Sequence, residues 1–301
     1  MLNLDDFLCN HKVEKINIGQ SGADLYAVDN QYVVKHVMRN KLENQELFLS
    51  FKKEAHFYQS MDRTKLPCLP EVLSIRETDD EILLCMKKYR RVEHHDVNQT
   101  VLSKIMKAIA LVHHCQAPPF LSLNRSEIKP LSDEQIMHCV NGWNSVLREH
   151  QGRFDAKPIE KIAKRINSMI RWHASGEANL IHGDFHLHNL LLDDEENIVI
   201  CDWQSVSIGN AANDLGFFLS RFNADGFQLS ERALIDLYSN AVYELYGKRA
   251  DSEVIYSHLS ASTLITSFRF WHEYLHGASE EKVGKIYEKM VQMISDGSMD
   301  R

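Results

Sequence analysis

Apolar and polar residues alternate in twos near the start of this 301-residue chain and give way to a three-to-four-residue rhythm after about residue 90. K-V-E-K-I-N-I (12–18) alternates as a half-buried strand does. After Gly19-Gln20-Ser21-Gly22 comes a second alternating run, A-D-L-Y-A-V, and Asp29-Asn30 turns the chain into a third strand, Y-V-V-K-H-V (32–37). Residues 45–61 change to helical spacing, with Leu47, Phe51, Ala55 and Tyr58 on one stripe. Beyond Pro67 and Pro70, E-V-L-S-I-R-E, the turn T-D-D-E and I-L-L-C-M-K-K-Y predict a hairpin.

From Asp96 onward the pattern is helical. Leu102, Ile105, Ile109 and Val112 mark one helix, which ends before Pro118-Pro119. Ser132 and Gln135 form a capping box that opens another, containing Ile136, Val140 and Leu147 and followed by Gly152. Pro158 suits a first helical turn, with Ile159, Ile162, Ile166 and Met169 behind it. Further helices are predicted over 212–221, 230–246, 252–276 and 279–295, with Gly247, Gly277 and Gly297 at their ends. Residues 181–203 are the only strand-like part of this half. The expected fold class is α+β in two lobes: a small antiparallel sheet with one helix over 1–90, then a larger, mainly helical lobe over 91–301. No internal repeat, low-complexity tract or coiled-coil heptad interrupts this division.

The strand-like part of the second half also carries the densest chemistry. It reads I-H-G-D-F-H-L-H-N-L-L-L-D-D-E-E-N-I-V-I-C-D-W, with Asp184 and Asn189 five positions apart and Asp202 closing an apolar run. Two short strands around D-E-E-N would return Asn189 and Asp202 to the same end, as ligands of one ion must be. One carboxylate, Asp184, then suits a hydroxyl proton, while an amide oxygen and a second carboxylate suit Mg²⁺ on a triphosphate. The spacing is that of the kinase catalytic loop and its metal-binding Asp. In the first lobe, Gly22 and Ser21 sit in a loop that reads either as a plain hairpin turn or as a phosphate cradle. Lys35 lies on the next strand but one, among valines that predict burial and therefore a partner. Glu54, beside the apolar stripe of the predicted helix, is that partner, unless it is an ordinary solvated Glu next to Lys52-Lys53. Around Met86, the stretch Cys85–Tyr89 is expected to connect the lobes and offer its backbone to an adenine edge.

Two rival readings use the same residues. His182, His186 and His188 contain an H-x-H pair that zinc could use with a further ligand. Alternatively Asp184 and Asn189 are turn residues that satisfy backbone groups locally. The zinc reading leaves Lys35, Glu54, Asn189 and Asp202 without a role. The turn reading leaves Asp202 as an unpaired carboxylate at the end of an apolar strand, before Trp203.

Composition narrows the class. A formal net charge of −8 gives little support to nucleic-acid binding and permits cationic partners. Six dispersed cysteines without a C-x-x-C pair read as buried free thiols in a reducing compartment. The start M-L-N-L-D-D-F lacks an export signal, and no apolar run approaches the ~18 residues of a membrane span, so a cytoplasmic protein is expected.

H-G-D-F-H-L-H-N followed by I-V-I-C-D-W-Q closely resembles the aminoglycoside phosphotransferase and choline kinase family, small-molecule kinases of protein-kinase-like fold. I-G-Q-S-G-A-D-L-Y and G-N-A-A-N-D-L-G-F-F-L resemble its phosphate loop and the segment after its metal-binding Asp. The resemblance runs from about Ile16 to Ser220. It implies an ATP- or GTP-dependent transfer of the γ-phosphate to a small-molecule hydroxyl, with Asp184 as catalytic base, Asn189 and Asp202 as Mg²⁺ ligands, and Lys35 with Glu54 on the phosphates. It further implies that Asp214 supports the catalytic loop. D-W-Q in place of D-F-G points away from a protein kinase. The acceptor is left open among aminoglycosides, choline-like compounds, sugars and other alcohols, and a catalytically silent nucleotide-binding protein is the alternative from another class. Asp251, Glu253 and Glu273 in the late helices are either attractants for a cationic acceptor or solvated surface.

Overall fold

The structure, a computed structural model, describes residues 11–16, 22–121, 129–150 and 152–295. Its N-terminal part is a sheet of β1 (Val13–Ile16), β2 (Asp24–Val28), β3 (Tyr32–Met38), β4 (Val72–Glu77) and β5 (Glu81–Lys87). The strands lie in the order β1-β2-β3-β5-β4, and each neighbouring pair is antiparallel. Helix α1 (Gln45–Ser60) is capped by Asn44, whose side chain accepts the Leu47 N–H, and it buries Phe48, Phe51, Ala55 and Tyr58. This is the small sheet with one helix that the alternating pattern predicts.

Pairing in β3 and β5 decides what each sheet face carries. Val33, Lys35 and Val37 stand opposite Met86, Leu84 and Ile82, so these six share a face. Val37, Ile82, Leu84 and Met86 join the core beneath α1, whereas Val34, Leu83 and Cys85 form a small cluster on the other face. Lys35 thus enters the interior because its neighbours on that face do.

The rest of the chain is mainly helical: α2 (Gln99–His113), α3 (Asp133–Arg148), α4 (Lys157–Ala174), α5 (Ala211–Ala224), α6 (Glu231–Tyr246), α7 (Ser252–Thr266) and α8 (Glu280–Ser295). Ser132 and Gln135 close the expected capping box at α3, Pro158 lies in the first turn of α4, and Gly247 ends α6 at φ +70°. Gly277 also has positive φ, while Gly297 lies outside the described residues. Two expectations need correction. The single helix over 252–276 divides: α7 gives way to a π-helical segment, Ser267–Trp271, and a short turn, His272–Tyr274. No Gly or Pro marks the change; the buried Trp143 of α3 donates its indole N–H to the Phe268 carbonyl inside the π segment, an insertion no local pattern signals.

The second correction concerns strands. The hairpin β8 (Leu190–Leu192) and β9 (Ile198–Ile200) forms as expected. β6 (Arg90–Arg91) adds to β8, and β7 (Asn179–Ile181) pairs with β10 (Ser207–Gly209), so residues 181–203 are not the only strands of this half. Two or three residues are too few to display a period of two.

The larger core runs without a break from the sheet through Phe51 and Phe57 to Trp203, Leu190 and Phe218. A second core, with Trp143, Ile166, Leu264, Phe268 and Met290, belongs to α3, α4, α7 and α8. Among the described residues all cysteines are free, and burial pushes the Cys68 thiol up to about 12. No described helix is long and apolar enough to cross a membrane.

Trp203 joins the two parts of the larger core. It is fully buried, stacks on Phe57 of α1 at 4.5 Å and donates its indole N–H to the Ile200 carbonyl at 2.8 Å. Trp203→Ala is expected to cost about 3–5 kcal/mol of stability in urea unfolding. A loss below ~1 kcal/mol would mean that this stack is not a principal contact.

Candidate active site

The buried sheet face delivers Lys35 to a pair of carboxylates. Lys35 is 7% exposed, and its Nζ lies 2.7 Å from Glu54 Oε2 on α1 and 2.9 Å from Asp202 Oδ1 after β9. The Phe51 ring lies 4.8 Å from the same nitrogen. Glu54, 1% exposed, uses its other oxygen to accept the Trp203 N–H at 3.2 Å. One helical glutamate therefore holds both the lysine and the backbone beside Asp202. Burial opposes the Lys35 charge, but Asp202 and Glu54 outweigh it and raise its pKa. Burial likewise opposes ionisation of Asp202, and Lys35 overcomes it, so the carboxyl lies below its ordinary range. Asp202 itself adopts a left-handed backbone, φ +66°, an uncommon state for a side-chain-bearing residue. The Gln204 amide also donates to its Oδ1.

The second half of the site is the turn that carries Asp184. Gly183 has φ +81°, and a Cβ there would lie 2.4 Å from the Ser205 carbonyl oxygen, so only glycine fits. Asp214 at the start of α5, 1% exposed, holds this turn from behind. Its Oδ1 accepts the Gly183 N–H, and its Oδ2 accepts the His182 N–H, each at 2.8 Å. His113 Nε2 is 3.2 Å from Oδ2, while His113 Nδ1 is 2.9 Å from the Tyr238 hydroxyl. His182 is fully buried, and burial pushes its pKa down. As a neutral ring it donates from Nε2 to the Cys201 carbonyl at 2.9 Å and accepts the Asp184 N–H on Nδ1 at 3.3 Å.

Asp184 emerges from this scaffold partly exposed. His186, with Nε2 3.6 Å from Oδ2, holds its carboxyl below the ordinary range, against the opposing effect of burial. Asn189 turns its amide Nδ2 to the Asp184 carbonyl at 2.9 Å and to its Oδ2 at 3.1 Å. Asn189 Oδ1 takes no part in these bonds. The Cys201 N–H donates to the Asn189 carbonyl at 3.0 Å, so the β8–β9 pairing returns Asn189 to the level of Cys201, beside Asp202.

Of the residues picked out in the sequence, Lys35, Glu54 and Asp202 are in direct contact, and Asp184 and Asn189 are bonded to each other. Gly22 has φ +77°, which glycine alone adopts readily, and Ser21 lies outside the described residues. Met86 is within β5 and buried on the face of Lys35; the chain leaves the sheet after Lys87, so the connector is shorter than 85–89. Asp251 is the N-cap of α7, accepting from the Glu253 and Val254 N–H groups, which accounts for its carboxylate without an acceptor. Phe51, Gln204, His113 and Tyr238 were missed. Gln204 follows Asp202 in D-W-Q and so carries a local mark, whereas the partnership of His113 with Tyr238 spans α2 and α6 and leaves none.

Side-chain oxygens of Asn189 and Asp202 are the groups here that could hold a hard cation such as Mg²⁺. Burial raises the pKa of Glu54, with Lys35 opposing that shift and Asp202 adding to it. The zinc alternative is not supported: both nitrogens of His182 are hydrogen-bonded, and His186 Nδ1 accepts the His188 N–H at 3.3 Å.

Known proteins share this arrangement of elements. The chain is similar to hygromycin-B 4-O-kinase of Escherichia coli, with 22% identity over 181 residues, and the match spans 54% of this chain and only 50% of that enzyme. Among solved structures, ADP-bound aminoglycoside phosphotransferase APH(2'')-Ib superposes with a TM-score of 0.57 at 18% identity, over 94% of this chain and 92% of its own. Spectinomycin phosphotransferase APH(9)-Ia, in complex with ADP and spectinomycin, gives 0.56 at 13% identity over 98% of both chains. At such identities the structural likeness is one of fold. The sequence profile of the phosphotransferase enzyme family (APH) matches residues 12–250, most of the chain, and the protein belongs to that family.

Proposed function

We propose that the protein transfers the γ-phosphate of ATP or GTP to a hydroxyl of a small molecule, with an aminoglycoside as the first acceptor class to test. The observation that carries this reading is the convergence of Lys35, Glu54 and Asp202 beside the Asp184–Asn189 turn. Residues 1–90 would hold the nucleotide, and residues 91–301 would supply the catalytic turn and the acceptor site. Support for a nucleotide donor and an aminoglycoside-like acceptor comes from the family, from the ADP and spectinomycin in the related structures, and from the net charge of −8, which suits a cationic acceptor.

In this mechanism Lys35 turns from Asp202 to bond the α- and β-phosphates, while Glu54 keeps the ammonium in place. Gly22 and Ser21 would offer backbone N–H and hydroxyl donors to the phosphates, and Met86 would border the base from the same sheet face as Lys35. Asn189 and Asp202 would hold Mg²⁺, which when bound neutralises triphosphate charge. Asp184, an ionised carboxylate at neutral pH, accepts the hydrogen bond of the acceptor hydroxyl and aligns its oxygen in line with the γ-phosphorus. Its low pKa suits orientation: in a loose transition state the proton leaves late, so a strong base is not required.

Incubation of the purified protein with Mg²⁺, ATP or GTP and a panel of aminoglycosides, choline-like amines, sugars and other alcohols should add one phosphoryl mass to a member of that panel. Asp184→Asn is expected to lower kcat for that acceptor by about 10²–10⁴-fold with an unchanged urea midpoint, since the side chain is partly exposed. Transfer that persists at the wild-type rate in Asp184→Asn would refute the assignment.

The charged trio also predicts a pH dependence of stability. The folded pKa of Lys35 is raised above its ordinary 10.5, so its stabilisation is complete below about 10.5 and lost as pH rises through the higher folded value. Asp202 is lowered from 3.8, so its contribution is present above about 3.8 and lost as pH falls through the lower folded value. The stability gap between wild type and Asp202→Asn should therefore narrow on the acid side, and that between wild type and Lys35→Met on the alkaline side. Gaps that stay constant with pH in denaturant titrations would contradict the ion-pair account.

A further inference from the structure

A second group of potential ligands lies apart from Lys35 and Asp202, where α3 meets the turn after the π segment. His138, His272 and Glu273 each offer one ligand atom, and these atoms lie within 4.8 Å of one another. His138 Nε2 and Glu273 Oε1 are already 3.8 Å apart, and both side chains are exposed. His272 differs: it is 2% exposed, and its Nε2 is buried without a hydrogen-bond partner. In the neutral tautomer that carries its proton on Nδ1, the Nε2 lone pair is available to a ligand.

The surrounding backbone is shaped for this ring. A Cβ at Gly142, one turn beyond His138 on α3, would lie 2.3 Å from His272 Nδ1 and 2.7 Å from its Cγ. Glycine in a helix interior is unfavourable, and here it makes the only room for the imidazole. The π segment ends at Trp271, immediately before His272, and so sets the direction in which that side chain enters. A buried ring nitrogen left without a partner costs stability, and neither the proposed phosphoryl transfer nor the cores use it.

We propose that His138, His272 and Glu273 form a binding site for a transition-metal dication of the zinc type, separate from the proposed phosphoryl-transfer centre. Two imidazoles and one carboxylate are a donor set for four-coordinate zinc, with water in the remaining position. Ligand atoms around such an ion stand about 3.4 Å apart, so His138 and Glu273 must close by rotamer changes around the fixed His272. Burial pushes the His272 pKa down, which keeps the ring neutral for ligation at neutral pH. The ion would tie α3 to the turn behind α7 and supply the partner that His272 Nε2 lacks.

The test uses the full chain, stripped of metal by chelator and dialysed, then titrated with Co²⁺. One equivalent should produce the intense visible bands of four-coordinate cobalt, Zn²⁺ should displace them, and Zn²⁺ should raise Tm. His138→Ala and Glu273→Gln, both at exposed positions, should each weaken Co²⁺ binding at least tenfold while leaving the Tm of the metal-free protein unchanged. Asp202→Asn and His188→Ala should bind as wild type does. Absence of the bands in wild type, undiminished binding in both His138→Ala and Glu273→Gln, or loss of binding in Asp202→Asn or His188→Ala would overturn the proposal. The outcome is independent of whether the protein transfers phosphate.

Discussion

A buried ammonium between two carboxylates governs this structure. Lys35 comes from a strand, Glu54 from the helix packed on it, and Asp202 from a hairpin more than a hundred residues later. Desolvating such a group is unfavourable, and breaking it by removing one partner leaves an uncompensated charge inside the protein. The trio therefore demands that sheet, helix and hairpin arrive together. Glu54 strengthens the demand, because its second oxygen holds the Trp203 N–H and so links the charge cluster to the stack of Trp203 on Phe57. Packing and electrostatics depend on the same few residues.

Asp214 plays the corresponding part behind the turn that carries Asp184. Its two oxygens take the N–H groups of His182 and Gly183, the points where the chain reverses to present Asp184. Two of the positive-φ residues of this region, Gly183 and Asp202, fall before and after the β8–β9 hairpin. Each is held by a carboxylate that does not face the solvent: Asp214 at one end, Glu54 beside the other. The partly exposed carboxylates, Asp184 and Asp202, are the ones a ligand can reach, while the buried ones keep the main chain in place. A rigid frame of this kind suits a reaction in which positioning and charge neutralisation do most of the catalysis.

The helical part has a core of its own, and its irregular point is informative. Trp143 inserts its N–H into the π segment at Phe268, and Gly142, the residue before it, makes way for His272. Two neighbouring residues of α3 thus match two features of the facing segment. This junction lies in the second core, away from the Lys35 trio, so the helical part carries constraints that phosphate chemistry does not require.

Much of the fold was legible in residue order, because its signals are local. Period-two runs marked β1 and β2, the polar turn T-D-D-E before an apolar run marked the β4–β5 hairpin, the Ser132–Gln135 box marked the start of α3, and the spacing of Asp184, Asn189 and Asp202 around a polar turn marked the hairpin that brings them together. The same spacing gave the reaction class, and the family match agrees with it. Other features depended on contacts between distant segments. The short strands β6, β7 and β10 are each paired with a strand distant in sequence, and the π segment is met by an indole on another helix. Met86 could be placed near the connector by order alone, yet only the β3–β5 register puts it inside the strand and on the Lys35 face. Likewise, His113, Tyr238 and His272 are unremarkable in sequence, and their roles come from what surrounds them. Local periodicity and motif spacing determined the elements and the chemistry on them. Tertiary packing decided which side chains lost water and therefore needed partners, and that is where the buried charge trio, the Asp214 scaffold and the unpartnered His272 nitrogen arise.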